Sequence, residues 1–126
     1  MKITSLTLTI LFLIGCSGHN SKSLHATPEV VTWKELCVSD TIQKEITISN
    51  RSNRNLKIDY IQKPCDCIIT KFQHDEINAK DSLKLHLTFI PQYVGYTEQN
   101  IFVHFKNTKE KVHLLIKGKV SDDDCL

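Results

Sequence analysis

From residue 28 onward, apolar and polar side chains alternate with a period of two. Leu83, Leu85, Leu87 and Phe89 are separated by Lys84, His86 and Thr88. Ile101, Val103 and Phe105 enclose Phe102 and His104, and Val112, Leu114 and Ile116 enclose His113 and Leu115. Leu56, Ile58 and Tyr60 form another set, and Ile42, Ile46 and Ile48 a further one that Lys44 interrupts. Residues 30–36 and 67–72 carry weaker versions. Successive side chains of a strand point to opposite faces, so these runs predict half-buried strands, and no stretch has the 3.6-residue period of an amphipathic helix. Turn-forming residues punctuate the runs at 39–40, 50–55, 78–82, 91–95 and 107–110. About seven short strands with regular turns predict an all-β, immunoglobulin-like antiparallel β-sandwich over residues 28–120. Parallel pairing is disfavoured because no crossover helices are available.

The last two runs allow a register to be proposed. A hairpin closed at 107–110 pairs Phe105 with Val112 and Val103 with Leu114 on the core face. On the other face it sets His104 opposite His113 and Phe102 opposite Leu115. An aromatic-aliphatic pair beside a histidine pair is unusual on a surface that meets only water.

The N-terminus gives an address. Lys2 precedes a mainly apolar run at 3–14, shorter than the roughly 20 residues of a membrane-spanning helix but suited to a secretory signal. The run ends in Leu13-Ile14-Gly15-Cys16, which resembles the lipobox of bacterial lipoproteins. The resemblance implies that residues 1–15 are removed and that Cys16 carries acyl chains anchoring the protein to a membrane; several chains anchor firmly where one binds only reversibly. An ordinary cleaved signal is the alternative. Residues 16–27 then form a polar tether and residues 121–126 an acidic tail. No acidic run follows Ser17, which favours a bacterial cell-envelope protein facing the periplasm.

Length and charge narrow the field further. A chain of 126 residues suffices for one domain and not for two sizeable cores. Its net charge is only +2, with basic residues scattered among acidic ones along the chain, so nucleic acid is not an expected partner.

An ordered series of residues resembles a known family. It runs through Trp33 to Leu36, Ser39-Asp40, Ile46 to Asn50, Leu56 to Ile58, Cys65-Asp66-Cys67, Leu83 to Phe89, Gly95 and Ile116 to Val120. This resembles the bacterial family called domain of unknown function 1573, over about residues 30–120. The resemblance implies an Ig-like sandwich related in style to major-sperm-protein-like modules, with no established activity. Members typically carry Cys-Gly-Cys-Thr, where this chain has Asp66 and Ile68 at the second and fourth places. Their Asn-Thr-Gly is Asn50-Arg51-Ser52 here, and their Pro-Gly before the long strand is Ala79-Lys80. Asn50, Asn53 and Asp81 are expected to take over turn duties, since Asn and Asp tolerate left-handed backbone.

Candidate chemistry centres on the cysteines. Residues two apart in a regular strand lie about 6.6 Å apart, so a Cys65–Cys67 bridge needs a bend. Chain entropy favours a structural bridge from Cys37 to one of the pair, at about 3.7 kcal/mol against about 1.6 for the short loop. Cys37, Cys65 and Cys67 are thus a disulfide or thiol site. The alternative gives the Cys65 and Cys67 thiolates to copper or zinc, with His74 or Cys37 nearby, or to redox exchange. No nucleophile elbow or phosphate loop is present, so neither catalysis, a cofactor nor a small-molecule substrate is expected. The expected role is binding an unidentified envelope protein, through Phe102, His104, His113 and Leu115, or through the loop bearing Tyr93 and Tyr96.

Overall fold

The alternating runs pair into two stacked sheets. The computed structural model describes residues 21–122, together with Gly15 and Gly18. Its strands are β1 (Leu24–Thr27), β2 (Val30–Cys37), β3 (Ile42–Asn50), β4 (Leu56–Gln62) and β5 (Ile68–Phe72). They continue as β6 (Glu76–Ile77), β7 (Ser82–Phe89), β8 (Gly95–Phe105) and β9 (Val112–Ser121). One sheet has the order β1-β3-β7-β5 and the other β2-β9-β8-β4-β6. The inward set of each run meets between them: Ile46, Ile48, Leu83, Leu85 and Leu87 face Ile101, Val103, Leu114 and Ile116, all at most 2% exposed. Each such side chain contributes about 1.5–3 kcal/mol by leaving water.

Four details depart from the sequence reading. First, the domain begins before residue 28. Leu24 and Ala26 are buried, and β1 pairs antiparallel with β3, so the tether expected over 16–27 ends where these two apolar side chains find the core. Second, β2 pairs parallel with β9. No helix is needed because the intervening strands of the sandwich make the long connection that parallel pairing requires.

Third, the β8–β9 register differs by two residues from the tight hairpin. Val103 faces Val112 and Phe102 faces His113, while Leu115 faces Asn100. The connection spans 106–111 because its side chains are engaged elsewhere. Asn107 Nδ2 donates to Asn55 O at 2.7 Å, and Glu110 Oε1 accepts from the Leu24 backbone N–H at 2.8 Å. His104 therefore does not face His113; it faces Tyr60 of β4. A shift of two preserves the face each residue occupies.

Fourth, the left-handed position before β7 belongs to Lys80, with φ of 62°, and not to Asn50, Asn53 or Asp81. The Lys80 backbone N–H donates to Ser52 O at 3.2 Å.

Asn50 has a different task. It is 1% exposed at the end of β3. Its Nδ2 donates to the carbonyls of Arg54 (2.7 Å), Ile77 (3.1 Å) and Asn78 (3.1 Å), while its Oδ1 accepts from the Ser52 backbone N–H at 3.0 Å. One amide thus ties the β3–β4 turn to the β6–β7 turn.

Candidate functional site

The outer face of the five-stranded sheet carries the aromatic and histidine positions. Tyr60 and His104 are cross-strand partners whose rings stack at 4.4 Å with planes 9° apart. Phe102 and His113 repeat the arrangement at 4.8 Å and 15°. Each imidazole is held from its side: His104 Nε2 lies 3.0 Å from Gln62 Oε1 and His113 Nε2 2.7 Å from Asn100 Oδ1, with each amide oxygen accepting. The Lys111 ammonium sits over the Phe102 ring, 4.6 Å from its centre, in cation–π geometry. Leu115, half-buried, lies between Asn100 and Val30 in register. The four residues expected on one surface do share it, in altered pairings.

Tyr60 was not expected there. The alternation of Leu56, Ile58 and Tyr60 places all three on the core face. A bulge between Ile58 and Tyr60 in the pairing with β8 inserts one residue and reverses the parity, so Ile58 is buried while Tyr60 is 53% exposed. The other outer face is built differently. There Glu45 pairs with Lys84 at 2.8 Å and lies 3.9 Å from His86, and the hydrogen bond from Lys84 holds the Glu45 carboxyl below its ordinary pKa.

The cysteine pair lies at one end of the sandwich. Residues 66–67 form a turn between β4 and β5, which brings the Cys65 and Cys67 Cα atoms to 5.2 Å and lets them form a disulfide with each other. The bend that a regular strand lacks is thus present, with Asp66 rather than glycine between the cysteines. Cys37 is disulfide-bonded too, but not to this pair, contrary to the chain-entropy expectation. It ends β2, three strand spacings from β4, or about 14 Å in the plane of the sheet. A bonded pair offers no thiolate, so a copper or zinc site at Cys65 and Cys67 requires prior reduction. Among the described residues no group of three or more His, Cys, Asp or Glu is placed to hold a metal. Cys16 and its lipid lie outside the described residues.

A cavity of about 80 Å³ adjoins the disulfide, lined by Cys65, Cys67, Phe89, Gln92, Tyr93, Thr97 and Gln99. Cys67 is buried and Cys65 half-buried. Tyr93 is 79% exposed at the cavity, whereas Tyr96 is on the outer face opposite Lys119. The two tyrosines bracketing Gly95 thus serve different surfaces, and neither packs into the core. Gly95, with φ of 129°, allows the turn into β8.

The profile of a family described as "Protein of unknown function (DUF1573)" matches residues 24–120, the span from β1 through β9. No curated protein matches the sequence. A Porphyromonas gingivalis W83 protein of unknown function is similar in structure, with TM-score 0.64 and 14% identity, covering 76% of this chain. The chain spans only 46% of that protein. The ASH/PapD-like domain 7 of human CEP192 is similar over 98% of this chain and 99% of its own, at TM-score 0.60 and 10% identity. The Caenorhabditis elegans MSP family member WR4 is similar over 80% and 100%, at 0.55 and 10%. At these identities the likeness concerns the fold.

Proposed function

The chain belongs to the DUF1573 family of proteins of unknown function, and we propose that it is a non-catalytic, lipid-anchored Ig-like binding module of the bacterial cell envelope. The observation that carries this reading is the contrast between the two outer faces. One carries the Glu45–Lys84 ion pair among polar side chains and no Phe, Tyr or Trp; the other, though it too bears an ion pair (Lys119–Glu35), presents stacked Tyr60–His104 and Phe102–His113 pairs beside Leu115. Rings held by neighbours lose little freedom on binding, and aromatic side chains supply much of the energy at protein interfaces. The partner is an envelope protein that lays an apolar surface on this sheet. Lipid on Cys16 would hold the module to the membrane, facing the periplasm. Among the described residues no helix is long and apolar enough to cross a membrane.

Redox exchange at Cys65–Cys67 is a second reading, favoured by the cavity beside the disulfide. One experiment separates the two. Envelope proteins are crosslinked to the lipidated protein in cells and quantified for the parent, for Phe102→Glu and for Cys65→Ser/Cys67→Ser. Phe102→Glu is expected to lower capture roughly tenfold or more with the fold retained, and the double cysteine variant to capture as the parent does. The reverse pattern favours thiol exchange. No capture by the parent ends the binding reading.

A further inference from the structure

Basic residues that are scattered along the sequence are gathered by the fold at one end of the sandwich. The chain enters β1 at this end, where Ser23 O accepts from the Arg51 backbone N–H at 2.7 Å and Glu110 accepts from the Leu24 N–H. Three loops meet around this entry. The loop at 51–55 is bonded to that at 78–81 through Lys80 N to Ser52 O and Ala79 N to Asn55 Oδ1. It is bonded to the loop at 106–111 through Asn107 Nδ2 to Asn55 O. Arg51 and Arg54 project from the first loop, Lys80 from the second, and Lys106, Lys109 and Lys111 from the third; all are exposed. None of these six is in an ion pair among the described residues.

The acids here are fewer than the bases: Asp81, Glu110 and Glu29, the last lining a cavity with Lys22 and Lys111. Asp81 accepts from the Ser82 backbone N–H, and Glu110 from Leu24. The opposite end has the reverse balance, with Asp40, Asp66 and Asp122 against Lys63.

We infer that the basic end, formed by these three loops, docks on a layer of anionic phospholipid headgroups. The inference rests on the anchored-module reading and adds an orientation to it. Only four residues lie between Cys16 and Ser21, five Cα steps with a reach of at most about 18 Å. An acyl anchor at Cys16 therefore lets the loops reach the bilayer surface, where each basic side chain within a Debye length of the headgroups raises partitioning about fivefold. A lipid plus a basic patch is the two-signal arrangement that makes membrane attachment stable. The acidic end, bearing the Cys65–Cys67 disulfide and Tyr93, points away from the membrane, and the aromatic face stands at the side, open to a partner. Nucleic acid is the poorer match, because the three loops contain no aromatic side chain on which a base could stack.

The test uses unlipidated chain 16–126 carrying Cys16→Ser, which retains all nine described strands. It is sedimented with vesicles of phosphatidylcholine alone, or of phosphatidylcholine with phosphatidylglycerol, at low and high salt. Binding is expected only to the anionic vesicles and to weaken with salt. Arg51→Glu/Arg54→Glu should lower it roughly 25-fold or more, while Lys34→Glu/Lys71→Glu, on strands away from this end, should change it little. Equal binding to both vesicle types, binding to neither, an equal loss from the two charge reversals, or retention on single-stranded nucleic acid without vesicle binding would each overturn the inference. Fatty-acid labelling of the full chain is read separately: an unlabelled Cys16 refutes the anchor, whereas vesicle failure with a labelled Cys16 refutes only the docking.

Discussion

Asn50→Asp is expected to lower stability by about 3–5 kcal/mol near neutral pH, from replacing one NH₂ group by oxygen. The Asn50 amide nitrogen donates to three backbone carbonyls at 2.7–3.1 Å and is shielded from solvent. A carboxylate there turns three attractive contacts into repulsive ones and leaves a buried charge unpaired. Protonation relieves part of this, so the introduced carboxyl has a folded pKa above its unfolded value of about 3.9. Between those two pKa values the folded state retains a proton that the unfolded state has released, and stability falls as pH rises. The deficit relative to the parent should therefore be smaller near pH 4 than near pH 7 in urea unfolding curves. Asn50→Ala, which introduces no charge, should cost about 1–3 kcal/mol with no such pH dependence. An Asn50→Asp protein within about 0.5 kcal/mol of the parent at both pH values would show that the amide does not hold the two turns together.

Gly118→Ala is expected to cost about 1–3 kcal/mol, because the added methyl would overlap the Trp33 indole. Gly118 and Trp33 are register partners on β9 and β2. The indole cannot step aside freely. It stacks on Phe89 with ring centres 5.3 Å apart, and its Nε1–H donates to Lys119 O at 2.8 Å. Displacing it breaks both contacts, and the emission of the chain's single tryptophan should move to longer wavelength. Combining Gly118→Ala with Trp33→Leu should recover part of the loss, giving a coupling energy of about 1 kcal/mol or more. Additive effects in that cycle would mean that the glycine is not there to accommodate the ring.

Much of the sandwich is legible in the sequence because burial on one face imposes a period of two. Leu83, Leu85, Leu87 and Phe89 are buried as their alternation predicts, and Phe102, His104, His113 and Leu115 share the face their parity assigns. Parity survives a two-residue change of register, which is why the face was readable while the pairing was not. The pairing depends on where Asn107 and Glu110 send their side chains, and both make contacts distant in sequence. Tyr60 escaped for a related reason: one extra residue in β4 reverses the parity, and no neighbouring residue type marks the bulge. The short β1 was hidden because four residues flanked by polar ones lack a repeating pattern. Chain entropy alone misjudged the cysteines, since proximity across a turn outweighed the larger loop term. The basic end could not be read along the chain at all, because its three loops are joined only by folding.

Residue-by-residue photocrosslinking on the lipidated protein in intact cells tests the binding role most directly. A photoreactive side chain is placed in turn at Tyr60, Phe102 and Leu115 on the five-stranded sheet, and at Lys71, Lys84 and Thr88 on the outer face of the other sheet. Specific protein adducts from the first three positions, with none from the last three, are the predicted result. Adducts from both faces alike, or from neither, would contradict a partner bound at the aromatic face.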